Sequence, residues 1–273
     1  MNVNSFPLPH TRPPFQATGE SAEDGNNNRP VENTKTNETS GTRKKRGVAD
    51  PYRLWPQNSE LTISLVNLND SQKFKIKEGF EKFAPHVNLR FKFDESDNAD
   101  VIFDSTSGKS SSLIGTDAEQ SAIGKATIKI NFWDTPEHDI LHEIGHALGL
   151  KHEHQHPDRT VTYDRQALLP FFGNNEDTYT RNMGTLNPDK IVTSAYDPKS
   201  IMHYYAPPGY SRGGSTTSRS TELSPEDKAF LEKLYPPQRP PESVIPVKLT
   251  THSGRLTHHK YSTLPSLGGR RPS

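Results

Sequence analysis

The 273-residue sequence contains no cysteine, which excludes disulfide bonds, thiolate metal sites and cysteine nucleophiles. Apolar residues are also scarce, at 30% of the chain against about 45–50% in typical globular domains. No run of about 18 apolar residues is present, so no membrane-spanning helix is predicted. The first residues carry no apolar block, and a signal peptide is therefore not expected. With cysteine absent, the 12 histidines are the soft metal ligands that remain.

Acidic and basic residues balance over the whole chain but not along it. Residues 1–48 hold 7 basic and 5 acidic residues, and residues 238–273 hold 6 and 1. The middle, 49–237, holds 20 and 27, a net charge of −7. A nucleic-acid-binding surface needs a basic patch on the folded core, which this distribution does not favour. We therefore expect no nucleic-acid partner.

The two ends of the chain differ in composition from its centre. Residues 1–46 are rich in Asn, Thr, Ser, Pro and Gly and poor in large apolar side chains, so they are predicted to be disordered. They end in the basic run RKKR, which is a solvated charge cluster, a protease processing site or a localisation signal. Residues 238–273 form a second, basic and Pro-rich tail that is also predicted to be disordered. Residues 47–237 are long enough for one sizeable core.

Periodic patterns within this centre predict an α+β fold. Strands are predicted at residues 61–66, 88–93, 99–103 and 125–132, the last alternating strictly between apolar and polar positions. A helix is predicted at 70–84 with Asp70 or Ser71 as its cap. Residues 105–122, rich in Ser and Gly, are predicted to be a loop. Strand, helix and three further strands indicate a mostly parallel or mixed sheet.

A second predicted helix carries the residues that point to chemistry. Thr135 and Pro136 are typical of a helix start, with Thr135 as the cap, and the sequence continues EHDILHEIGHALG. His142 and His146 are four residues apart, so their side chains leave one helix face a single turn apart. This is the spacing that two imidazoles need to bind one metal ion. Glu143 lies beside the first ligand and can reach a metal-bound water.

The residues after this helix predict a third ligand. Gly149 can adopt the left-handed conformation that ends a helix, and His152 then returns toward the same metal. Three neutral imidazoles and an open position are typical of a catalytic zinc site rather than a closed structural one. We expect one Zn²⁺ per chain, bound by His142, His146 and His152. A histidine-rich solvated helix is the alternative, but the helix also has an apolar face that predicts a core position, formed by Ile140, Leu141, Ile144, Ala147 and Leu148.

Residues 142–154, HEIGHALGLKHEH, resemble the zinc helix of the metzincin metalloproteases and, more narrowly, that of the astacin family. Three further segments resemble that family. Pro157-Asp158-Arg159 resembles the segment after its zinc helix. The SIMHY stretch at 200–204 resembles its methionine turn, and residues 223–235 resemble its closing helix. Leu54-Trp55-Pro56 resembles its opening segment. The resemblance covers about residues 47–236. It implies a metzincin-type zincin domain, with a mixed twisted sheet and a zinc-binding active-site helix, at residues 47–237 between disordered tails.

The same resemblance implies residue roles in a zinc-dependent endopeptidase. Glu143 would be the general base that activates the attacking water. Tyr204 would be a movable additional zinc ligand that stabilises the anionic intermediate, and Met202 would form a hydrophobic floor beneath the metal. The strand at 126–132 would be the sheet edge that pairs with an extended substrate.

The same resemblance implies a role for the leader, residues 1–46. Glu153 in the family pairs with the freed amino terminus of the mature enzyme. Cleavage after Arg46 would make Gly47 that terminus and residues 1–46 a propeptide. The leader nevertheless lacks the Phe-x-Gly-Asp stretch with which family propeptides hold the zinc, and the chain lacks the disulfides usual in animal members.

Other functions stay open at this point. A non-catalytic zinc-containing binding module would keep the same fold, although it has no need of Glu143. A translocated effector protease would use residues 1–46 as a secretion address. Another metzincin is a further alternative, against which Glu153 and Tyr204 count. We expect a monomer that acts on peptide or protein substrates, has no membrane partner, and is exported without a signal peptide rather than kept in the cytoplasm.

Overall fold

The computed structural model describes residues 47–133, 135–205, 209–212 and 219–237. The predicted tails, 1–46 and 238–273, lie outside these residues. The strands are β1 (Val48–Ala49), β2 (Glu60–Ser64), β3 (Arg90–Phe93), β4 (Val101–Ser105), β5 (Ser111–Ser112), β6 (Ile128–Ile130), β7 (Thr162–Tyr163), β8 (Val192–Thr193) and β9 (Ser211–Arg212). The helices are α1 (Asp70–Phe83), α2 (Pro136–Ala147), α3 (Arg165–Leu168), α4 (Glu176–Met183) and α5 (Pro225–Leu234).

The largest sheet has five strands in the order β3-β2-β4-β6-β5. The pairs β2–β3, β2–β4 and β4–β6 are parallel, whereas β5 runs antiparallel to β6. This confirms the predicted mixed sheet and its four predicted strands. Three of them are shorter than the sequence pattern indicated, whereas β4 keeps the predicted length of 99–103 but lies two residues further along the chain. The α+β fold class is therefore confirmed.

The edge of this sheet differs from the prediction. The strand before α2, β6, lies between β4 and β5, so β5 is the edge strand. The prediction was wrong because β5 consists of two serines inside the stretch assigned as a loop. A two-residue polar strand gives no alternation of apolar and polar residues. Very short edge strands are a common way to limit unwanted strand pairing.

Helix α1 packs against α2 through a close approach at one glycine. A Cβ atom placed on Gly79 would lie 2.7 Å from Ile140 Cγ2 and 2.9 Å from Ile144 Cδ1, so a larger residue would push the helices apart. The N-cap of α1 is Asn69, not the predicted Asp70 or Ser71. The side chain of Asn69 accepts a hydrogen bond from the backbone of Gln72, and the Gln72 side chain accepts one from the Asn69 backbone. This reciprocal pair satisfies two otherwise unpaired N–H groups.

The main core lies between the sheet and the helices α1, α2 and α5. Trp55 and Tyr235 both bind backbone carbonyl groups at the carboxyl end of α2. Trp55 donates through Nε1 to Ala147 O at 2.7 Å, and the Tyr235 hydroxyl donates to Leu148 O at 2.9 Å. The opening segment and the closing helix thus supply partners for carbonyl groups that the end of α2 leaves unpaired.

A second, smaller cluster of buried side chains follows the third histidine in sequence. It contains Val161, Tyr163, Leu168, Phe172, Met183 and Tyr204. The antiparallel pair β7–β9 borders it, and the pair β1–β8 joins the first described residues to the chain before the methionine turn. Among the described residues, no helix has the length and apolar character needed to span a membrane.

Candidate metal centre

Helix α2 is buried along nearly its whole length and carries two of the predicted ligands. His142, Glu143 and His146 are all buried, and Glu143 is only 2% exposed. Thr135 occupies the N-cap position as predicted, but its side chain makes no capping hydrogen bond. Its hydroxyl instead lies 3.3 Å from Asp139 Oδ1, in the first turn of the helix. The predicted cap residue therefore binds a carboxylate rather than a backbone amide.

The turn after α2 depends on glycine, as predicted. Gly149 has φ +89°, and a Cβ atom there would lie 2.7 Å from Leu54 Cδ2. The N–H of Gly149 donates to His146 O at 2.8 Å. The next residues are held by β1, because Lys151 N donates to Val48 O at 2.9 Å. The chain thus reverses within a few residues and brings His152 back to the helix.

The three predicted histidines converge. One ring nitrogen from each of His142, His146 and His152 lies within 4.8 Å of the other two, and the Nε2 atoms of His146 and His152 are 3.0 Å apart. His142 Nδ1 lies 2.9 Å from Ile201 O, and His146 Nδ1 lies 2.8 Å from Leu150 O. Because a carbonyl oxygen only accepts, each Nδ1 carries the hydrogen, and each Nε2 keeps its lone pair for a metal.

Burial also favours the neutral form of two of these rings. It lowers the pKa of His142 and His152 well below the ordinary value of 6.5, and the neighbouring imidazoles lower it further. Neutral imidazole is the form that binds metal. Three buried nitrogen donors, two of them oriented by backbone carbonyl groups, therefore fit a zinc ion, which is commonly bound by imidazole nitrogens in tetrahedral geometry.

Met202 lies directly behind α2, where the sequence predicted a hydrophobic floor. A Cβ atom on Gly145 would overlap Met202 Sδ, so only glycine lets the turn come this close. The turn itself is held by Asp227, whose carboxylate accepts from Ser200 Oγ at 2.6 Å and from Ile201 N at 2.9 Å. Sequence reasoning missed this role, although Ser224 and Asp227 have the spacing of the capping box that starts α5.

Tyr204 is buried beside the histidines, and its ring centroid lies 4.5 Å from that of His152. It stacks on His154 with a centroid distance of 3.9 Å and an interplanar angle of 18°. The backbone carbonyl of Tyr204 accepts from His203 Nδ1 at 2.8 Å, and His203 Nε2 accepts from the Tyr196 hydroxyl at 2.7 Å. Sequence reasoning did not identify the stacking of Tyr204 on His154, because no local pattern signals a contact between residues so far apart in the chain.

Glu153 is buried next to the third ligand. One carboxylate oxygen accepts from Asp197 N at 2.7 Å, and the other has no hydrogen-bond partner among the described residues. Burial raises the pKa of Glu153 well above its ordinary value. Gly47, the first described residue, donates from its backbone nitrogen to Ala195 O at 3.1 Å. Gly47 and Glu153 therefore bind the same short segment, two residues apart, whereas Arg46 lies outside the described residues.

Comparison with known proteins places this geometry in a family. A family model described as Astacin, a peptidase family, matches residues 47–230, more than half of the chain. The chain belongs to the astacin family. The predicted resemblance is thereby confirmed, and the match begins at Gly47.

Similar proteins agree with this assignment. Zinc metalloproteinase nas-14 of Caenorhabditis elegans is 27% identical over 206 residues, covering 69% of this chain and 38% of that protein. Bone morphogenetic protein 1 of Xenopus laevis is 26% identical over 214 residues, covering 70% and 28%. This astacin-family chain thus spans well under half the length of these relatives. The solved structure of myroilysin has a TM-score of 0.66 at 26% identity, covering 71% of this chain and 100% of that one.

Proposed function

We propose that this chain is a zinc-dependent endopeptidase whose metal is bound by His142, His146 and His152. The observation that carries this proposal is the convergence of three buried ring nitrogens, two of them on a helix too buried to be a solvated histidine-rich surface. Membership of a peptidase family supports it. When bound, zinc acidifies a water molecule and polarises the carbonyl group of a peptide bond.

Glu143 is the proposed general base and acid. It follows the first ligand directly on α2, and burial shields its carboxylate from solvent. Its carboxylate accepts a proton from the attacking water and then passes it to the nitrogen of the leaving amine. Replacement of Glu143 should therefore remove turnover without removing a metal ligand.

Tyr204 is the proposed stabiliser of negative charge. Its ring lies against His152 and His154, within reach of the metal ligands. Its hydroxyl donates a hydrogen bond to the carbonyl oxygen as charge develops there. Met202 and Gly149 have structural roles in this proposal. Met202 supports α2 from behind, and Gly149 turns the chain so that His152 reaches the site.

The edge strand β5 is the proposed place for an extended substrate. Leu113 N donates to Thr127 O at 3.0 Å, so the backbone groups of Leu113 face β6. Alternation along the strand turns the N–H and C=O groups of Ser112 away from β6. A peptide can pair with these groups as an additional strand. This replaces residues 126–132 as the pairing strand.

We also propose that residues 1–46 are a propeptide, 47–237 the catalytic domain and 238–273 a tail. Cleavage after Arg46 would leave an ammonium group on Gly47. Gly47 is already buried, has φ +130° and leaves no room for a Cβ atom beside Phe230. Glu153 binds the same segment through one carboxylate oxygen, and its other oxygen, which has no hydrogen-bond partner among the described residues, would gain a cationic neighbour.

A cleavage assay tests the proposed function. The full chain and a chain starting at Gly47 should each be incubated with a denatured generic protein, after chelation and after zinc is restored. We expect zinc-dependent cleavage, faster for the chain that starts at Gly47. A chain that binds zinc and cuts nothing in either form would instead be the non-catalytic binding module.

The remaining parts of the proposal concern the protein in its natural setting. Amino-terminal sequencing of the natural product separates cleavage after Arg46 from an intact leader, which a translocated effector would keep. Monomeric state and export without a signal peptide also belong to the proposal. Sedimentation and fractionation of the producing culture test them.

A further inference from the structure

A buried hydrogen-bond network joins the first turn of α2 to the edge of the sheet. Asp139 Oδ2 accepts from Ser110 Oγ at 2.6 Å, and Ser110 Oγ accepts from Asn131 N at 2.9 Å. Asp139 is 5% exposed, and Ser110 and Asn131 are 1% exposed. A carboxylate at this position is also favoured by the partial positive charge at the start of a helix. The network is therefore well shielded, and the loss of one member leaves buried polar groups unpaired.

The side chain of Asn131 extends the network in two directions. Its Nδ2 donates to Gly108 O at 2.6 Å, and its Oδ1 accepts from Trp133 N at 2.9 Å. The segment that enters β5 and the segment that joins β6 to α2 are thus held together by one amide. Trp133 is 86% exposed, so its ring projects into solvent from a backbone that the network fixes.

The position of the network relates it to the proposed site. Ser110 directly precedes β5, and Asp139 lies three residues before His142 on α2. Three residues correspond to a rise of about 4.5 Å along a helix. β5 pairs with β6 at Ser111 and Ser112, and the hydrogen bond from Leu113 N to Thr127 O extends this pairing by one residue. So short a pairing does not by itself define the register of an edge strand strongly.

We propose that Asp139 is a positioning residue for peptide hydrolysis. Through Ser110 it fixes the distance and register of β5 relative to the metal-binding histidines, so that a peptide paired with β5 presents one bond to the site. Asp139 does not touch the substrate in this proposal. The inference rests on the proposed endopeptidase function and adds to it the residue that couples the substrate-binding edge to the zinc helix.

The test compares short and extended substrates. Two peptides share one scissile bond, the short one with about two residues on each side and the extended one with about five, enough to pair with a strand. The variants are Asp139→Ala, Asp139→Asn and Ser110→Ala. The control is Asp100→Ala, since Asp100 also ties two sheet segments by accepting from the N–H and the hydroxyl of Thr62, but it does so between β2 and β4.

We expect the wild type to cleave the extended peptide faster than the short one. Asp139→Ala and Ser110→Ala should each lower kcat/KM for the extended peptide about tenfold, mainly through KM, and change the short peptide less than about twofold. The Asp139→Asn variant keeps an acceptor for Ser110, so its kcat/KM for the extended peptide should fall less. Combining Asp139→Ala with Ser110→Ala should add little to either change, because both break one network. The control substitution, Asp100→Ala, should change kcat/KM for the two peptides by the same factor.

Three results would overturn the inference. One is equal loss on both peptides in the Asp139 and Ser110 variants at unchanged zinc content. Another is a wild type that shows no preference for the extended peptide. The third is independent, additive effects of the two substitutions. If Asp139→Ala does not fold, Ser110→Ala and Asp139→Asn decide the question. A wild type that cleaves neither peptide refutes the endopeptidase function itself, which is a distinct outcome.

Discussion

Replacing Asp227 by alanine should loosen the methionine turn and weaken metal binding together. The buried carboxylate accepts hydrogen bonds from Ser200 Oγ, Ile201 N and Ser224 N at 2.6, 2.9 and 3.0 Å. Hydrogen bonds to a charged group contribute about 1.5–3 kcal/mol each. The desolvation of the carboxylate, which raises the pKa of Asp227, offsets part of this sum. We expect the free energy of unfolding to fall by about 3–5 kcal/mol.

The same substitution should reach the metal through one more contact. His142 Nδ1 donates to Ile201 O, so a loosened turn no longer orients the ring of that ligand. Loss of such an orienting partner typically costs about 10–100-fold in metal affinity. Urea denaturation with and without zinc measures the first effect. Competition with a chromophoric chelator measures the second.

A matched control separates this effect from the loss of any carboxylate. Glu222 is exposed and pairs with Lys82 at 2.5 Å, a contact expected to contribute less than about 1 kcal/mol. Glu222→Ala should therefore change neither quantity much. If Asp227→Ala has the stability and zinc affinity of Glu222→Ala, the proposed support of the ligand by the methionine turn is wrong.

Three other predictions concern the turn at Gly149, the hydroxyl group of Tyr204 and the pH dependence of stability. Gly149→Ala should lower the unfolding free energy by about 1–3 kcal/mol, because alanine is strained at φ +89°; an unchanged thermal midpoint would contradict this. Tyr204→Phe should lower kcat about 100-fold at unchanged zinc content, whereas Tyr205→Phe should not. The zinc-free chain should lose stability as pH falls below about 6.5. The unfolded state then takes up protons that the folded state does not, since burial lowers the pKa of His142 and His152 and that of His203 to about 4. Burial raises the pKa of Glu153, Asp227 and Asp117, so these three carboxyls act in the opposite direction. Urea denaturation across this range checks the sign, and constant or rising stability on acidification would refute it.

The sequence was most informative where chemistry and local geometry coincide. His142 and His146 are predicted from the four-residue period of a helix, and His152 from the glycine that ends it. Local geometry decides these positions, so a local pattern suffices. The family resemblance extended the prediction to Tyr204, which lies against His152, and to Met202, which lies against Gly145 of α2.

The parts that could not be predicted depend on contacts between distant residues. The edge strand β5 consists of two serines and has no pattern of its own, so its neighbour β6 was mistaken for the edge. Asp139 and Ser110 are 29 residues apart, and neither stands out in its local sequence. Asn69 rather than Asp70 caps α1, because three consecutive polar residues compete for that position.

The most direct test of the account is zinc content and turnover in Glu143→Gln beside Glu137→Gln. Glu137 lies on the same helix but is exposed and pairs with Lys75, so it controls for the loss of a carboxylate from α2. We expect one zinc per chain in both variants, with cleavage lowered about 10²–10⁴-fold only in Glu143→Gln. A Glu143→Gln chain that binds zinc and cleaves at the wild-type rate would contradict the account.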